Sequence, residues 1–127
     1  MNSKADEKLT AARRVKKRRE YLHIQNRGKK YRAEHLLLSV WSLPETAKDS
    51  RIGVTVTKKV DKRAVNRNRI KRQIKEYLRK QRRFFSYPVD LVVITLNGAC
   101  ELNYDQVCQQ LEFLLKKSAL IRKVGKS

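Results

Sequence analysis

The side chains best suited to binding a ligand are polar and cationic residues repeated at helical spacing in the middle of the chain. Asn68, Arg72, Lys75 and Arg79 recur at alternating intervals of about one helical turn, which places them on one face of a helix. Arginine forks and lysine ammonium groups on such a face suit phosphate oxygens. Because like charges one turn apart repel, an anionic partner would stabilise this face. On charge alone, a solvated basic surface is an equally good interpretation.

The sequence offers no recognisable set of catalytic groups. Asp61 and Glu76 are the only carboxylates between residues 58 and 83. Neither His23 nor His35 has an obvious nucleophile beside it in the sequence. An enzyme that acts alone is therefore the weaker hypothesis, and no catalytic residue is assigned.

The cysteines and the hydropathy pattern also limit the possible functions. Cys100 and Cys108 lack the spacing of a metal-ligand pair, so we predict no protein metal site. No apolar run is long enough to span a bilayer, and the N-terminus lacks the hydrophobic segment of a secretory signal. We therefore expect a cytoplasmic protein with reduced cysteines.

The positive charge of the chain is concentrated in two segments. The net charge is +20 over 127 residues. Residues 1–32 contain 12 Lys and Arg against 3 Asp and Glu, and residues 58–83 contain 13 against 2. Two basic segments separated by neutral sequence favour a nucleic-acid partner over general solubility. A membrane surface also attracts basic helices, but the border of aromatic and leucine residues typical of that role is missing here.

The central motif resembles the signature of the bacterial ribonuclease P protein subunit. The matching residues are Lys58-Lys59, Ala64-Val65, Arg67-Asn68-Arg69-Ile70-Lys71-Arg72 and Lys75-Glu76. The resemblance extends back through Arg51–Val56 and forward through Asp90–Ile94 and Asn103-Tyr104, and covers roughly residues 19–121. Family members often have an arginine in place of Lys75, which keeps the charge but loses the bidentate fork.

The resemblance implies an RNA-binding subunit of an endoribonuclease that removes the 5′ leader from precursor tRNA. In that family the RNA subunit performs the hydrolysis with bound Mg²⁺, and the protein assists. The contacts to the RNA subunit would be Lys58, Lys59, Arg67, Asn68, Arg69, Lys71, Arg72, Lys75 and Arg79. Two further roles for Asn68 stay open: it orients the start of the helix, or it helps to hold a metal ion.

The resemblance also implies a cleft for the single-stranded leader between the first helix and the outer face of the sheet. Its residues would be Tyr21, Gln25, Leu37, Ser39 and Trp41. Aromatic rings are the usual platforms for unpaired bases. Gln25 and Ser39 stand where relatives often carry aromatic residues, so base stacking in this cleft would depend on Tyr21. The alternative for Tyr21 is a packing role against Leu37 or Trp41.

Residue patterns predict the elements that position these groups. A short helix near Tyr21 precedes strands at residues 35–43 and 51–57, which we interpret as an antiparallel hairpin. Ile70, Ile74, Tyr77 and Leu78 form an apolar stripe that anchors the basic helix. Residues 89–96 are almost continuously apolar, as expected of a strand buried on both faces. Asn103 and Gln106 form a capping box for the last helix.

The predicted order is helix, strand, strand, helix, strand, helix, which indicates an α+β two-layer sandwich. The resemblance implies the fold of a ribosomal protein S-five domain with a left-handed β-α-β crossover, against the usual right-handed rule. We predict a basic mobile arm at residues 1–17, one domain at 18–121 and a frayed tail at 122–127. The main rival is a structural protein that binds ribosomal RNA. A DNA-binding module is disfavoured because helix-turn-helix spacing is missing.

Overall fold

The computed structural model describes residue 15, residues 17–44, residue 47 and residues 50–121. These residues form three helices and four strands, with short 3₁₀ turns at Arg82–Phe84 and Ala99–Glu101. In chain order the elements are α1 (Arg18–Arg27), β1 (Lys29–Arg32), β2 (Leu36–Ser42), β3 (Arg51–Thr55), α2 (Ala64–Gln81), β4 (Val89–Thr95) and α3 (Tyr104–Lys117). The predicted α+β architecture is confirmed.

The strands form one sheet in the order β1-β2-β4-β3. β4 pairs antiparallel with β2 and parallel with β3. The predicted hairpin between β2 and β3 is therefore wrong, because β4 lies between them. The physical reason is that six of the seven β4 residues are buried, and only a central position covers such a strand on both faces. The parallel β3-α2-β4 unit is confirmed, and the handedness of its crossover stays a prediction.

β1 is a strand that the sequence pattern does not predict. It pairs antiparallel with β2 from Lys29 opposite Val40 to Arg32 opposite Leu37. Three of its four residues are exposed and the fourth is half-buried. A polar strand at the edge of a sheet lacks the apolar alternation on which strand prediction depends, so its backbone pairing was not visible in the side chains.

One face of the sheet carries the main core beneath α2 and α3. The expected apolar stripe of α2 is confirmed, since Ile70, Ile74 and Leu78 are fully buried and Tyr77 is half-buried. The buried residues of α3 are Val107, Leu111, Leu114 and Leu115. The capping box at its start is also confirmed: Asn103 Oδ1 accepts from the Gln106 N–H at 2.8 Å, and Gln106 Oε1 accepts from the Asn103 N–H at 2.9 Å.

The opposite face of the sheet carries α1. The register places three rows of residues across this face: Thr55-Ile94-Leu37, Gly53-Val92-Ser39 and Arg51-Asp90-Trp41. The middle row lies beneath α1, where Val92 packs in a small cluster with Ile24 and Val15. The Ser39 hydroxyl donates to the Ile24 carbonyl. The two outer rows therefore emerge on opposite sides of α1.

The segment just before α1 is anchored to the sheet at Val15. Val15, which the sequence analysis assigned to the arm, is buried and donates its N–H to the Ile52 carbonyl at 3.0 Å. The rest of the predicted arm up to residue 14, residue 16 and the predicted tail at 122–127 lie outside the described residues. Within the described part of the chain, none of the helices combines the length and the apolar content needed to cross a membrane.

Candidate nucleic-acid interface

The cationic side chains predicted to share one face of α2 do so. Asn68, Lys71, Arg72, Lys75, Glu76 and Arg79 line one shallow depression, which we call the outer face of α2. It lies opposite the buried stripe of Ile70, Ile74 and Leu78. A helix anchored by three buried side chains holds its outward charges at fixed spacing, which is the arrangement that matches the fixed phosphates of a folded RNA.

Glu76 is the single carboxylate of the outer face of α2. Its Oε2 lies 2.6 Å from Arg79 Nη2 and 3.4 Å from Lys80 Nζ. The hydrogen bond from Arg79 and the nearby charges hold the pKa of Glu76 below its ordinary value, despite partial burial. Glu76 is therefore ionised at neutral pH and offsets part of the positive charge at this end of the face.

Two arginines of the motif, Arg67 and Arg69, do not line the outer face of α2 and instead contact backbone carbonyls. Arg67 Nη1 donates to the carbonyls of Asp61 and Lys62 at 2.9 and 2.8 Å. Arg69 donates to the carbonyl of Leu102 at 3.4 Å and to that of Cys100. These guanidinium groups hold the entry to α2 and the 3₁₀ turn after β4. Their expected RNA contacts stay predictions, and the structure adds a positioning role.

The start of α2 is organised by Asp61, considered above only as a possible catalytic carboxylate, and by Asn66, which the sequence pattern did not indicate. Asp61 Oδ1 accepts from the Arg63 N–H at 2.8 Å, and Oδ2 accepts from the Asn66 amide at 3.0 Å. The Arg63 N–H and the Asn66 amide lower the pKa of Asp61. The described hydrogen bonds at this helix start thus involve Asn66 rather than Asn68, which is exposed one half-turn further on.

Lys58 and Lys59 lie in the turn between β3 and α2, and both are exposed. Val60, which follows them, packs against the main core. The turn is therefore tied to the core at one side while its two ammonium groups face solvent. This placement extends the positive surface from the first turn of α2 toward β3, and the expected contact of these lysines with RNA stays a prediction.

A groove runs between α1 and the end of β3. We call it the α1–β3 groove; its lining residues are Arg18, Tyr21, Leu22, Gln25, Val54, Thr55, Val56 and Lys71. Lys71 also lines the outer face of α2. The groove and the outer face are therefore neighbouring parts of one surface, joined at this lysine.

Tyr21 lies directly on the sheet where β3 has a glycine. A Cβ atom built on Gly53 would come within 2.7 Å of the Tyr21 ring. The missing side chain at position 53 is what lets the ring approach the strand this closely. Tyr21 therefore packs on Gly53 and against the small cluster beneath α1, and its packing against Leu37 or Trp41 stays a prediction. Beside it, Gln25 Oε1 accepts a hydrogen bond from the Thr55 hydroxyl at 2.9 Å.

The five residues expected in the leader cleft do not form one cluster. Tyr21 and Gln25 lie in the α1–β3 groove, and Leu37 belongs to the row that contains Thr55. Ser39 is fully buried beneath α1, where it is enclosed by packing. Trp41 belongs to the row on the other side of α1. These residues are separated because α1 crosses the sheet between them. Sequence resemblance alone does not show where a helix crosses a sheet.

A charged network lies on the Trp41 side of α1, and the sequence pattern did not predict it. Arg51 Nε and Nη2 donate to Asp90 Oδ1 and Oδ2 at 3.0 and 2.6 Å. Arg51 Nη1 donates to Glu20 Oε2 at 2.9 Å. These contacts raise the pKa of Arg51 further above its ordinary value, with the Asp90 hydrogen bond the largest cause. The three residues tie α1, β3 and β4 together, although they lie far apart in the sequence.

Among the residues that the structure describes, no group of three or more His, Cys, Asp or Glu side chains could hold a metal ion. Burial is the largest cause that raises the pKa of the Cys100 and Cys108 thiols. Both groups are therefore poor nucleophiles at neutral pH. The surface features described above instead suit the binding of a polyanion.

Comparison with known proteins assigns this architecture. The ribonuclease P family model matches residues 9–119. The ribonuclease P protein component of Syntrophus aciditrophicus is 39% identical over 110 residues, which cover 86% of this chain and 89% of that protein. The component of Microcystis aeruginosa is 36% identical over 115 residues, covering 89% and 96%.

Solved structures agree with the sequence relatives. The ribonuclease P protein of Staphylococcus aureus superposes with a TM-score of 0.77 at 25% identity, covering 87% of this chain and 98% of that one. The Thermotoga maritima protein, solved with 1-(4-fluorophenyl)-2-thiourea, gives a TM-score of 0.73 at 28% identity, covering 82% and 98%. A basic helix backed by a mixed sheet, a matching family model and these relatives agree: the chain belongs to the ribonuclease P protein family.

Proposed function

We propose that this protein binds the catalytic RNA subunit of ribonuclease P through the outer face of α2. The observation that carries the proposal is the fixed array of Asn68, Lys71, Arg72, Lys75 and Arg79 around one depression. Lys58 and Lys59 flank the array, while Arg67 and Arg69 hold the segments on either side of it. Phosphate contacts of this kind position an RNA without reading its sequence.

The α1–β3 groove is the proposed site for the single-stranded leader of precursor tRNA. It has one aromatic ring, Tyr21, and a polar pair formed by the Gln25 amide and the Thr55 hydroxyl. Such a mixture supports stacking of an unpaired base beside a hydrogen-bonding group. Lys71 belongs to both surfaces, so a leader in the groove would lie directly beside the bound RNA subunit.

Hydrolysis of the precursor is assigned to the RNA subunit with Mg²⁺ that the RNA binds. The part of the chain that the structure describes has no cluster of three or more His, Cys, Asp or Glu side chains for a magnesium site. Within the basic segment, Asp61 is engaged by a backbone N–H and by Asn66. Glu76, in turn, is paired with Arg79. The protein acts by adding positive charge near RNA phosphates, and it should lower the magnesium concentration that the holoenzyme needs. Purified protein free of RNA should not cleave precursor tRNA.

Replacement of Tyr21 tests the leader site. In the holoenzyme, Tyr21→Ala should weaken binding of precursor tRNA about 5- to 150-fold, the range for loss of one base–aromatic stack. Binding of mature tRNA and assembly with the RNA subunit should stay unchanged. Phe113→Ala is the matched control, since Phe113 is a 50% exposed aromatic residue of α3 that lines neither the groove nor the outer face of α2. Equal losses for precursor and mature tRNA would contradict the assignment of Tyr21 to the leader.

The rival function, a structural protein that binds ribosomal RNA, is tested by copurification. The proposed function predicts that the tagged protein recovers a structured RNA of a few hundred nucleotides that cleaves precursor tRNA when magnesium is added. Recovery of intact ribosomal particles without that RNA would favour the rival. The family assignment already favours ribonuclease P.

A further inference from the structure

Trp41 marks a second aromatic site, on the side of α1 opposite the α1–β3 groove. The indole is 37% exposed. It meets the His23 ring edge-on, with 4.6 Å between the ring centroids and 71° between the planes. A depression at this position is lined by Arg19, Glu20, His23, Ile24, Trp41, Arg51 and Asp90. We call it the Trp41 pocket.

The walls of the Trp41 pocket are fixed without any ligand. Asp90 is 4% exposed and accepts both hydrogen bonds of the Arg51 fork. The third Arg51 contact reaches Glu20 on α1. Because this network joins the helix wall to the sheet floor, the pocket does not need to be assembled on binding. A preformed pocket reduces the ordering cost that a ligand must otherwise overcome.

The charge of the Trp41 pocket distinguishes it from the outer face of α2. Arg19 and Arg51 are balanced by Glu20 and Asp90, whereas the outer face has one carboxylate against four cations. A phosphate group would therefore gain little electrostatic binding energy in the Trp41 pocket. The flat indole and its histidine neighbour instead offer an aromatic surface that suits an uncharged planar ring.

We propose that the Trp41 pocket binds one unpaired nucleobase of RNA, stacked on the Trp41 indole. The proposal rests on the proposed function only in taking RNA as the ligand of this chain with net charge +20. Long-range attraction brings the RNA to the surface, and the neutral pocket takes a base rather than the backbone. The base comes from the leader of precursor tRNA or from an unpaired segment of the RNA subunit.

Trp41 is the only tryptophan of the chain, so its intrinsic fluorescence reports on this pocket. Titration of the full-length protein with a short single-stranded RNA should quench the emission. Trp41→Leu should weaken binding of the same RNA about 5- to 150-fold, and Trp41→Phe, which keeps an aromatic face, should recover part of the loss. Phe113→Leu serves as the matched control and should leave both binding and quenching unchanged, because Phe113 is exposed on α3 and lines neither the Trp41 pocket nor the outer face of α2.

Three assemblies separate the two sources of the base. If the RNA subunit supplies it, the RNA subunit alone quenches Trp41. If the leader supplies it, quenching appears only when precursor tRNA joins the holoenzyme and is absent with mature tRNA. Either result supports the pocket. Assembly with the RNA subunit and the effect of Tyr21→Ala are measured independently of Trp41. If the Trp41 pocket binds no base, the proposed function is therefore not contradicted.

Two results would overturn the proposal. One is Trp41 emission that stays unchanged with the oligonucleotide and with all three assemblies. The other is a folded Trp41→Leu protein that binds every RNA as tightly as the wild type. If circular dichroism shows that Trp41→Leu does not fold, the fluorescence of the wild-type protein decides alone. Quenching that appears only after deletion of residues 1–14 would identify this segment as the occupant of the pocket and would also overturn the proposal.

Discussion

The outer face of α2 and the Trp41 pocket contain similar residue types but use them in opposite ways. On the outer face, arginines and lysines surround a single carboxylate. In the Trp41 pocket, each arginine is balanced by a carboxylate, and Arg51 contacts both. The first arrangement retains charge for a partner, and the second uses charge to fix the protein. Arginine content therefore does not identify an RNA contact; the partners of each guanidinium group do.

The largest effect should come from removing charge on the outer face of α2. Arg72→Ala combined with Lys75→Ala should weaken binding to the RNA subunit by about 3 kcal/mol, from about 1.5 kcal/mol per charge-assisted contact. The slope of log affinity against log salt should fall by about two. Salt-dependent binding assays measure both quantities.

The matched control for this pair lies on β1. Lys30→Ala with Arg32→Ala removes the same charge from two exposed positions. We expect a smaller loss and a smaller change in slope, because these residues contribute only diffuse attraction. Equal effects for the two pairs would show that the outer face is ordinary basic surface.

The second effect contrasts Arg69 with Arg72. Arg69→Ala leaves the carbonyls of Cys100 and Leu102 without this donor, so the free energy of unfolding should fall by about 1–3 kcal/mol. Arg72→Ala should leave it unchanged or slightly raised, since repulsion is relieved. Urea denaturation measures the difference.

A conservative replacement sharpens the comparison. Arg69→Lys should not restore full stability, because one ammonium group on a flexible stem does not reproduce the planar fork between two carbonyls. Full stability in both Arg69 variants would return Arg69 to the class of outward RNA contacts.

The third effect concerns the contact between Tyr21 and β3. Gly53→Ala should cost about 1–3 kcal/mol of stability by overpacking, because its Cβ would meet the Tyr21 ring at 2.7 Å. In the Tyr21→Ala background the same change should cost much less. A double-mutant cycle of unfolding free energies measures the coupling. Strictly additive values would mean that the ring does not rest on Gly53.

The smallest effect comes from Glu76→Gln. Loss of the carboxylate should improve affinity for the RNA subunit by less than about fivefold, as for an exposed ion pair. It should also slightly lower stability at neutral pH. The pKa of folded Glu76 is below its ordinary value of 4.5, so its contribution is present above pH 4.5 and is lost as the pH falls through the folded pKa. Wild type and variant should therefore converge in acid melts, and a gap that widens there would refute this assignment.

The sequence predicted the elements that have a local signature in their side chains. The helical spacing of Ile70, Ile74 and Leu78 predicted a buried face, and Asn103 with Gln106 predicted the start of a helix. The sequence could not show that β4 separates β2 from β3, because strand order depends on tertiary packing. It also could not show where α1 crosses the sheet, which buries Ser39 and separates Tyr21 from Trp41. The Arg51 network joins residues that are brought together only by β3, β4 and α1.

The central position of β4 has a consequence for how the protein is made. Among the described residues β3 has β4 as its sole strand partner, and β4 follows it only after the whole of α2. On the ribosome, both edges of β3 and the edge of β2 that later pairs with β4 would therefore stay unpaired until residues 89–95 emerge from the exit tunnel. Exposed edges of this kind invite association between chains. The dense positive charge of the segments made earlier would keep nascent chains apart by repulsion during that interval.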